Sequence, residues 1–100
     1  MFIYNVTCNV SPEIHDEWLN WMKSEHIPNV MATNCFKEFR FCRILVNEEH
    51  GVSYSIQYMY QNEKDIELYA AKFAPSLQAE TKNKYGDKVL AFRTLLEFVK

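Results

Sequence analysis

His26 follows Glu25 and precedes Ile27-Pro28. An imidazole in that setting could move a proton near neutral pH or hold an anion. Pro28 disfavours helical geometry at Ile27, so the spacing predicts a helix that ends or kinks near His26. The C-terminal dipole of such a helix would favour the charged imidazole. The same placement suits a plainer role, in which His26 caps the last free carbonyls. Arg43 is the second candidate. It shares strand phase with Phe39, Phe41 and Leu45, and a guanidinium at the edge of an aromatic pocket suits a carboxylate or phosphate. The plainer role is an ion pair with Glu25, Glu38 or another acid at the sheet rim. Tyr4, Tyr54, Tyr58 and Trp18 could line a flat pocket for a small-molecule ligand. They could also be core residues whose polar tips reach a partner at the edge.

Other chemistry finds little support. His15, His26 and His50 show no HxxxH or HxxE spacing, so no metal is expected. No GxSxG motif supports a Ser-His-Asp set. Two glycines leave no phosphate-cradling loop, and no cofactor is expected. The three cysteines, Cys8, Cys35 and Cys42, form no CxxC pair and no even framework. Reduced thiols in the cytoplasm are the expectation. Net charge is −2 with both signs scattered, which argues against nucleic acid. No basic, apolar leader opens the chain, and no run approaches the ~20 apolar residues of a membrane span.

The elements that must position these residues follow from periodicity. FIYNVTCNV, residues 2–10, alternates as a strand. Ser11-Pro12-Glu13 reads as a helix start, with Ser11 as cap. Ile14, Trp18, Trp21 and Met22 then hold helical spacing, and residues 30–32 add a short turn. CFKEFRFCRILVN, residues 35–47, predicts a strand with blurred alternation. Which of its faces meets the helices stays open. Residues 48–51 form a turn in which Gly51 supplies positive φ. VSYSIQYMY, residues 52–60, completes an antiparallel hairpin. Asn62 caps a second helix with Asp65 three residues on, and Ile66, Tyr69, Ala70, Phe73 and Leu77 mark its buried side. Pro75 should kink it, and Gly86 should end it. Residues 88–99 form the last strand.

The order β-α-β-β-α-β predicts one α+β domain over residues 1–100. It is a ferredoxin-like sandwich, a four-stranded antiparallel sheet with two helices on one face. The Tyr4 and Tyr54 rows should face the helices. The other face would hold Asn5, Thr7, Ser55, Gln57, Arg93, Leu95 and Glu97. Its mix of polar and apolar side chains predicts a homodimer with two such faces stacked.

Taken together, IYNVT (3–7), WLNWMKSEHIPNV (18–30), YSIQY (54–58) and AFRTLLE (91–97) resemble an uncharacterised bacterial family of single-domain proteins. That resemblance implies a ferredoxin-like fold and no known activity. The architecture is more distantly similar to the dimeric α+β barrels. These include antibiotic-biosynthesis-type and haem-degrading monooxygenases and small isomerases. That similarity implies sheet-to-sheet pairing and ligands held between sheet and helices. Residues 63–84 contain no histidine, so the haem-ligating position of that branch has no counterpart. Two functions follow as expectations. One is a binding or assembly module. The other is a cofactor-independent enzyme acting on a small aromatic or anionic molecule, with His26 as acid or base and Arg43 as anchor.

Overall fold

The computed structural model describes residues 1–46 and 49–100. Asn47 and Glu48, expected at a strand end and in a turn, lie outside the described residues. Strand β1 spans Phe2–Val10, β2 Glu38–Arg43, β3 Val52–Tyr60 and β4 Val89–Glu97. They form one antiparallel sheet in the order β2-β3-β1-β4. With a helical stretch after β1 and another after β3, this is the ferredoxin-like β-α-β-β-α-β arrangement.

The first helical stretch, α1, covers residues 12–31. It runs without a break through a tight turn at Pro12–Ile14, α-helix at His15–Trp21, a wide π turn at Met22–His26 and α-helix at Ile27–Met31. The second, α2, covers residues 63–85. It passes through α-helix at Glu63–Leu68, a π turn at Tyr69–Phe73 and α-helix at Ala74–Tyr85. The expected break at Pro28 is therefore absorbed. Proline lacks an N–H, and its ring crowds the carbonyl four residues back. In both helices the residue before the proline bonds five residues back instead: Ile27 N–H donates to the Met22 carbonyl and Ala74 N–H to the Tyr69 carbonyl. The extra residue widens the turn and lets the helix continue.

Local signals behave unevenly. Asn62 N–H donates to Asp65 Oδ2 at 3.3 Å, as the capping pattern predicts. Ser11 makes no side-chain cap; its carbonyl accepts from Ile14 N–H and its own N–H donates to the Lys88 carbonyl. Gly86 ends α2 at φ 57, in the left-handed region. Gly51 does not have the expected positive φ. It is needed for close approach, because a Cβ there would lie 2.8 Å from the Val10 carbonyl oxygen. The strand expected over 35–47 is shorter. Cys35 and Phe36 are buried ahead of it, and Ile44 N–H still donates to the Ser53 carbonyl beyond its end.

Register settles the faces. Opposed residues of an antiparallel pair share a face. Phe39, Phe41 and Arg43 oppose Tyr58, Ile56 and Tyr54. These β3 residues join Tyr4, Cys8 and Val10 in the core against Trp18, Met22, Ile27, Val30, Tyr69 and Leu77. On β4, Arg93 opposes Val6, Leu95 opposes Tyr4 and Glu97 opposes Phe2. The expected assignment of Arg93, Leu95 and Glu97 to the far face is thus reversed. The residues facing away from the helices are Leu90, Phe92, Thr94 and Leu96, opposite Asn9, Thr7, Asn5 and Ile3. Both rows of β4 are rich in apolar residues, so periodicity alone could not tell them apart. The helices leave β4 uncovered: Phe92 is 62 % exposed on one side and Leu95 61 % on the other. Among the described residues, no helix is long and apolar enough to cross a membrane.

Candidate functional site

The helix-facing side of the sheet carries two polar clusters. Each is built from a tyrosine hydroxyl, an arginine and a histidine. At the β2 end, Tyr54 is almost fully buried under Trp18 and Phe41, at ring distances of 5.0 and 5.3 Å. Its hydroxyl meets His15 Nε2 at 2.5 Å and accepts from Arg43 Nη2 at 3.3 Å. His15 Nδ1 meets Asp16 Oδ1 at 3.1 Å. The Arg43 guanidinium also lies 5.7 Å from the Tyr54 ring centre. Arg43 makes no ion pair with Glu25 or Glu38. Trp18 Nε1 is buried here without a partner among the described residues.

At the β4 end, Arg93 Nε donates to the Tyr4 hydroxyl at 3.2 Å. Tyr4 also packs on Tyr58 and Tyr69, with ring centres 6.0 and 5.5 Å apart. His26 packs against Trp21 in a tilted arrangement, ring centres 4.9 Å apart, and its Nδ1 is buried with no partner among the described residues. Helix α1 continues to Met31, so His26 caps nothing and no helix terminus stabilises its charge. The electrostatics run opposite to the dipole expectation. Burial first, and the Arg93 charge second, push the His26 pKa down from 6.5 to about 4. The imidazole is neutral at physiological pH. Burial, and then the neighbouring Tyr69, Tyr4 and Cys8, push the Tyr58 hydroxyl well up, while burial and Tyr4 raise Tyr69. Both stay protonated and can donate hydrogen bonds. On β1, burial pushes the Cys8 thiol up to about 12.

His26 lines a cavity of about 40 Å³ with Tyr4, Tyr58, Tyr69, Gln78 and Arg93. Both π turns border it, the first through Met22 and His26 and the second through Tyr69. Tyr4, Tyr69, Gln78 and Arg93 also line an open groove of about 480 Å³ between α2 and β4. Arg43 lines neither hollow, so the expected pairing of His26 with Arg43 does not form. Arg93 takes that place. Of the aromatic candidates, Tyr4 and Tyr58 reach the cavity, whereas Tyr54 and Trp18 belong to the packed end. Sequence reasoning missed Tyr69, Gln78 and His15 as site residues. Tyr69 carried a signal in its position six residues before Pro75, matching Met22 before Pro28. Among the described residues, no group of three or more His, Cys, Asp or Glu side chains could hold a metal.

The far face carries a different polar array. Asn5 Nδ2 donates to Thr7 Oγ1 at 3.0 Å and to Thr94 Oγ1 at 3.2 Å. Ser55 Oγ donates to Asn5 Oδ1 at 2.6 Å, and Gln57 Nε2 to Ser55 Oγ at 3.4 Å. Leu90, Phe92 and Leu96 flank this array as exposed apolar side chains.

Comparisons with known proteins agree with this architecture. An ethyl tert-butyl ether D (EthD) family protein from Bacillus halodurans superposes with a TM-score of 0.71 at 13 % identity, covering 99 % of this chain and 100 % of its own. A dimeric ferredoxin-like protein from an uncultured marine organism gives 0.63 at 11 % identity, covering 99 % and 96 %. A protein from Arabidopsis thaliana gives 0.58 at 19 % identity, covering 98 % of each chain. At these identities the likeness is one of fold. No curated protein matches the chain by sequence. Over residues 1–99 the chain matches the family described as a domain of unknown function, DUF4286, and it belongs to that family.

Proposed function

We propose that the chain is a single-domain homodimeric binding or assembly module of the bacterial cytoplasm, with protomers pairing sheet to sheet. The observation that carries this reading is β4. It is an edge strand, uncovered by helices, with Leu90, Phe92 and Leu96 exposed on the far face. An uncovered apolar edge is an association surface unless something blunts it. Asn5, Thr7, Ser55 and Gln57 form the polar centre of the interface, and the β4 row excludes water at its side. Arg93, Leu95 and Glu97 point the other way and give up the interface role expected of them to Leu90, Phe92 and Leu96. One structural neighbour is itself described as dimeric, which supports the pairing. Three free thiols, Cys8, Cys35 and Cys42, suit a reducing compartment.

Sedimentation velocity tests this. The wild type should run as a dimer and Phe92→Arg as a folded monomer. A monomeric wild type, or a Phe92→Arg protein that still dimerises, refutes the pairing.

The second reading is a cofactor-independent enzyme acting on a small aromatic or anionic molecule. It is favoured by a neutral His26 whose Nδ1 is unpartnered beside Arg93. The cavity at His26, about 40 Å³, is far below the ~300 Å³ of a small-molecule site. That difference places the binding module first.

A further inference from the structure

We infer that the groove between α2 and β4 is a binding site for a small monocarboxylate, with Arg93 as its anion anchor and an apolar body lying against Ile66, Ala70, Pro75 and Leu95. This goes beyond the dimer reading and does not rest on it.

Three observations converge. Among the described residues, Arg93 is the sole charged residue lining the groove, and no Asp or Glu shares its walls. Among the described residues no carboxylate lies within ion-pair distance of its guanidinium. The bond from Nε to the Tyr4 hydroxyl fixes the side chain and leaves the terminal N–H groups to be shared with a ligand. A guanidinium held in this way matches a carboxylate with two parallel hydrogen bonds. The rest of the groove is mostly apolar, with Gln78, Tyr4 and Tyr69 as the further polar residues whose side chains belong to this face. About 480 Å³ is within the usual range for a small-molecule site. Such a lining favours a ligand that is apolar along its length and charged at one end.

The cavity behind this anchor explains why the charge should be negative. Tyr4, Tyr69, Gln78 and Arg93 are common to groove and cavity, so a head group on Arg93 sits at the cavity mouth. His26 is neutral there, and Tyr58 and Tyr69 stay protonated, so they offer hydrogen bonds without a competing anion. A second cation in the groove would meet Arg93 with no acid to offset it.

The test is calorimetric titration of the full chain with monocarboxylates of roughly six to ten carbons, including hexanoate, benzoate and phenylacetate, each beside its neutral amide. Phenylacetate should bind about tenfold more tightly than phenylacetamide or better, the margin of a charge-assisted pair. Arg93→Gln should bring the acid down to the level of the amide and leave the amide unchanged. Arg43→Gln should change neither. Leu95→Glu, at an exposed position, should abolish acid binding by placing a carboxylate in the groove, and it keeps the test open if Arg93→Gln misfolds. Failure of every acid to bind, equal binding of acid and amide, or full affinity in Arg93→Gln or Leu95→Glu each overturns the inference. The same titration on Phe92→Arg separates the two readings. A chain that dimerises but ignores carboxylates fails this inference alone.

Discussion

The two ends of the helix-facing side carry the same three residue types and use them differently. At the β2 end, Tyr54 holds His15 and Arg43 on one hydroxyl, with Asp16 behind the imidazole. At the β4 end, Tyr4 holds Arg93 alone, and His26 faces a cavity with Nδ1 unpartnered. Among the described residues, each end also buries one nitrogen without a partner, Trp18 Nε1 in close packing and His26 Nδ1 beside open space. Residue type therefore does not make a site. Spare hydrogen-bonding capacity next to room for a ligand does, because buried groups that are already satisfied have little to gain from one.

The largest expected effect is the pH dependence of the open end. His26 has its pKa pushed down to about 4 in the folded chain, against 6.5 ordinarily. Between those values the unfolded chain binds more protons. The stability contributed by a neutral His26 is complete above pH 6.5 and lost as pH falls toward 4. The full span is on the order of 3 kcal/mol. Urea midpoints at several pH values should fall more steeply in wild type than in His26→Asn. Parallel curves would mean that His26 is solvated and the open end is not a buried site.

The packed end should be the less forgiving of substitution. Tyr54→Phe strands His15 Nε2 and a donor of Arg43, which should cost about 1–3 kcal/mol in chemical denaturation. Gly51→Ala forces a methyl against the Val10 carbonyl near the same end and should cost about 1–3 kcal/mol. Tyr4→Phe removes only the acceptor for an exposed Arg93, so its cost should stay within about 1 kcal/mol. If Tyr4→Phe proved as costly as Tyr54→Phe, the contrast between the ends would fail. The smallest effect is expected from Arg43→Gln, whose exposed guanidinium has water as an alternative partner, at roughly 0.5 kcal/mol.

Much of this molecule was legible in one dimension. Strict alternation in residues 2–10 and 52–60 marks β1 and β3 because strand side chains have a period of two. Helical spacing and the Asn62 and Gly86 signals mark α2. The same arithmetic placed Tyr4, Tyr54 and Tyr58 toward the helices, where they are. It failed at two points for the same kind of reason. Pro28 reads as a stop because its local chemistry breaks an α turn, yet a π turn bypasses it. The two rows of β4 read alike because each carries apolar residues.

The sequence by itself determined the element order, the ferredoxin-like class and the helix-facing rows of β1 and β3. These follow from periodicities and caps that act within a few residues. Only the tertiary structure decided which histidine meets which arginine. Arg93 reaches Tyr4 across 89 positions of sequence, and it does so because β4 pairs with β1 in one register and not the next. A shift of one residue would have turned Arg93 to the far face. That register is set by packing across the whole sheet, a non-local balance that no short stretch of sequence contains.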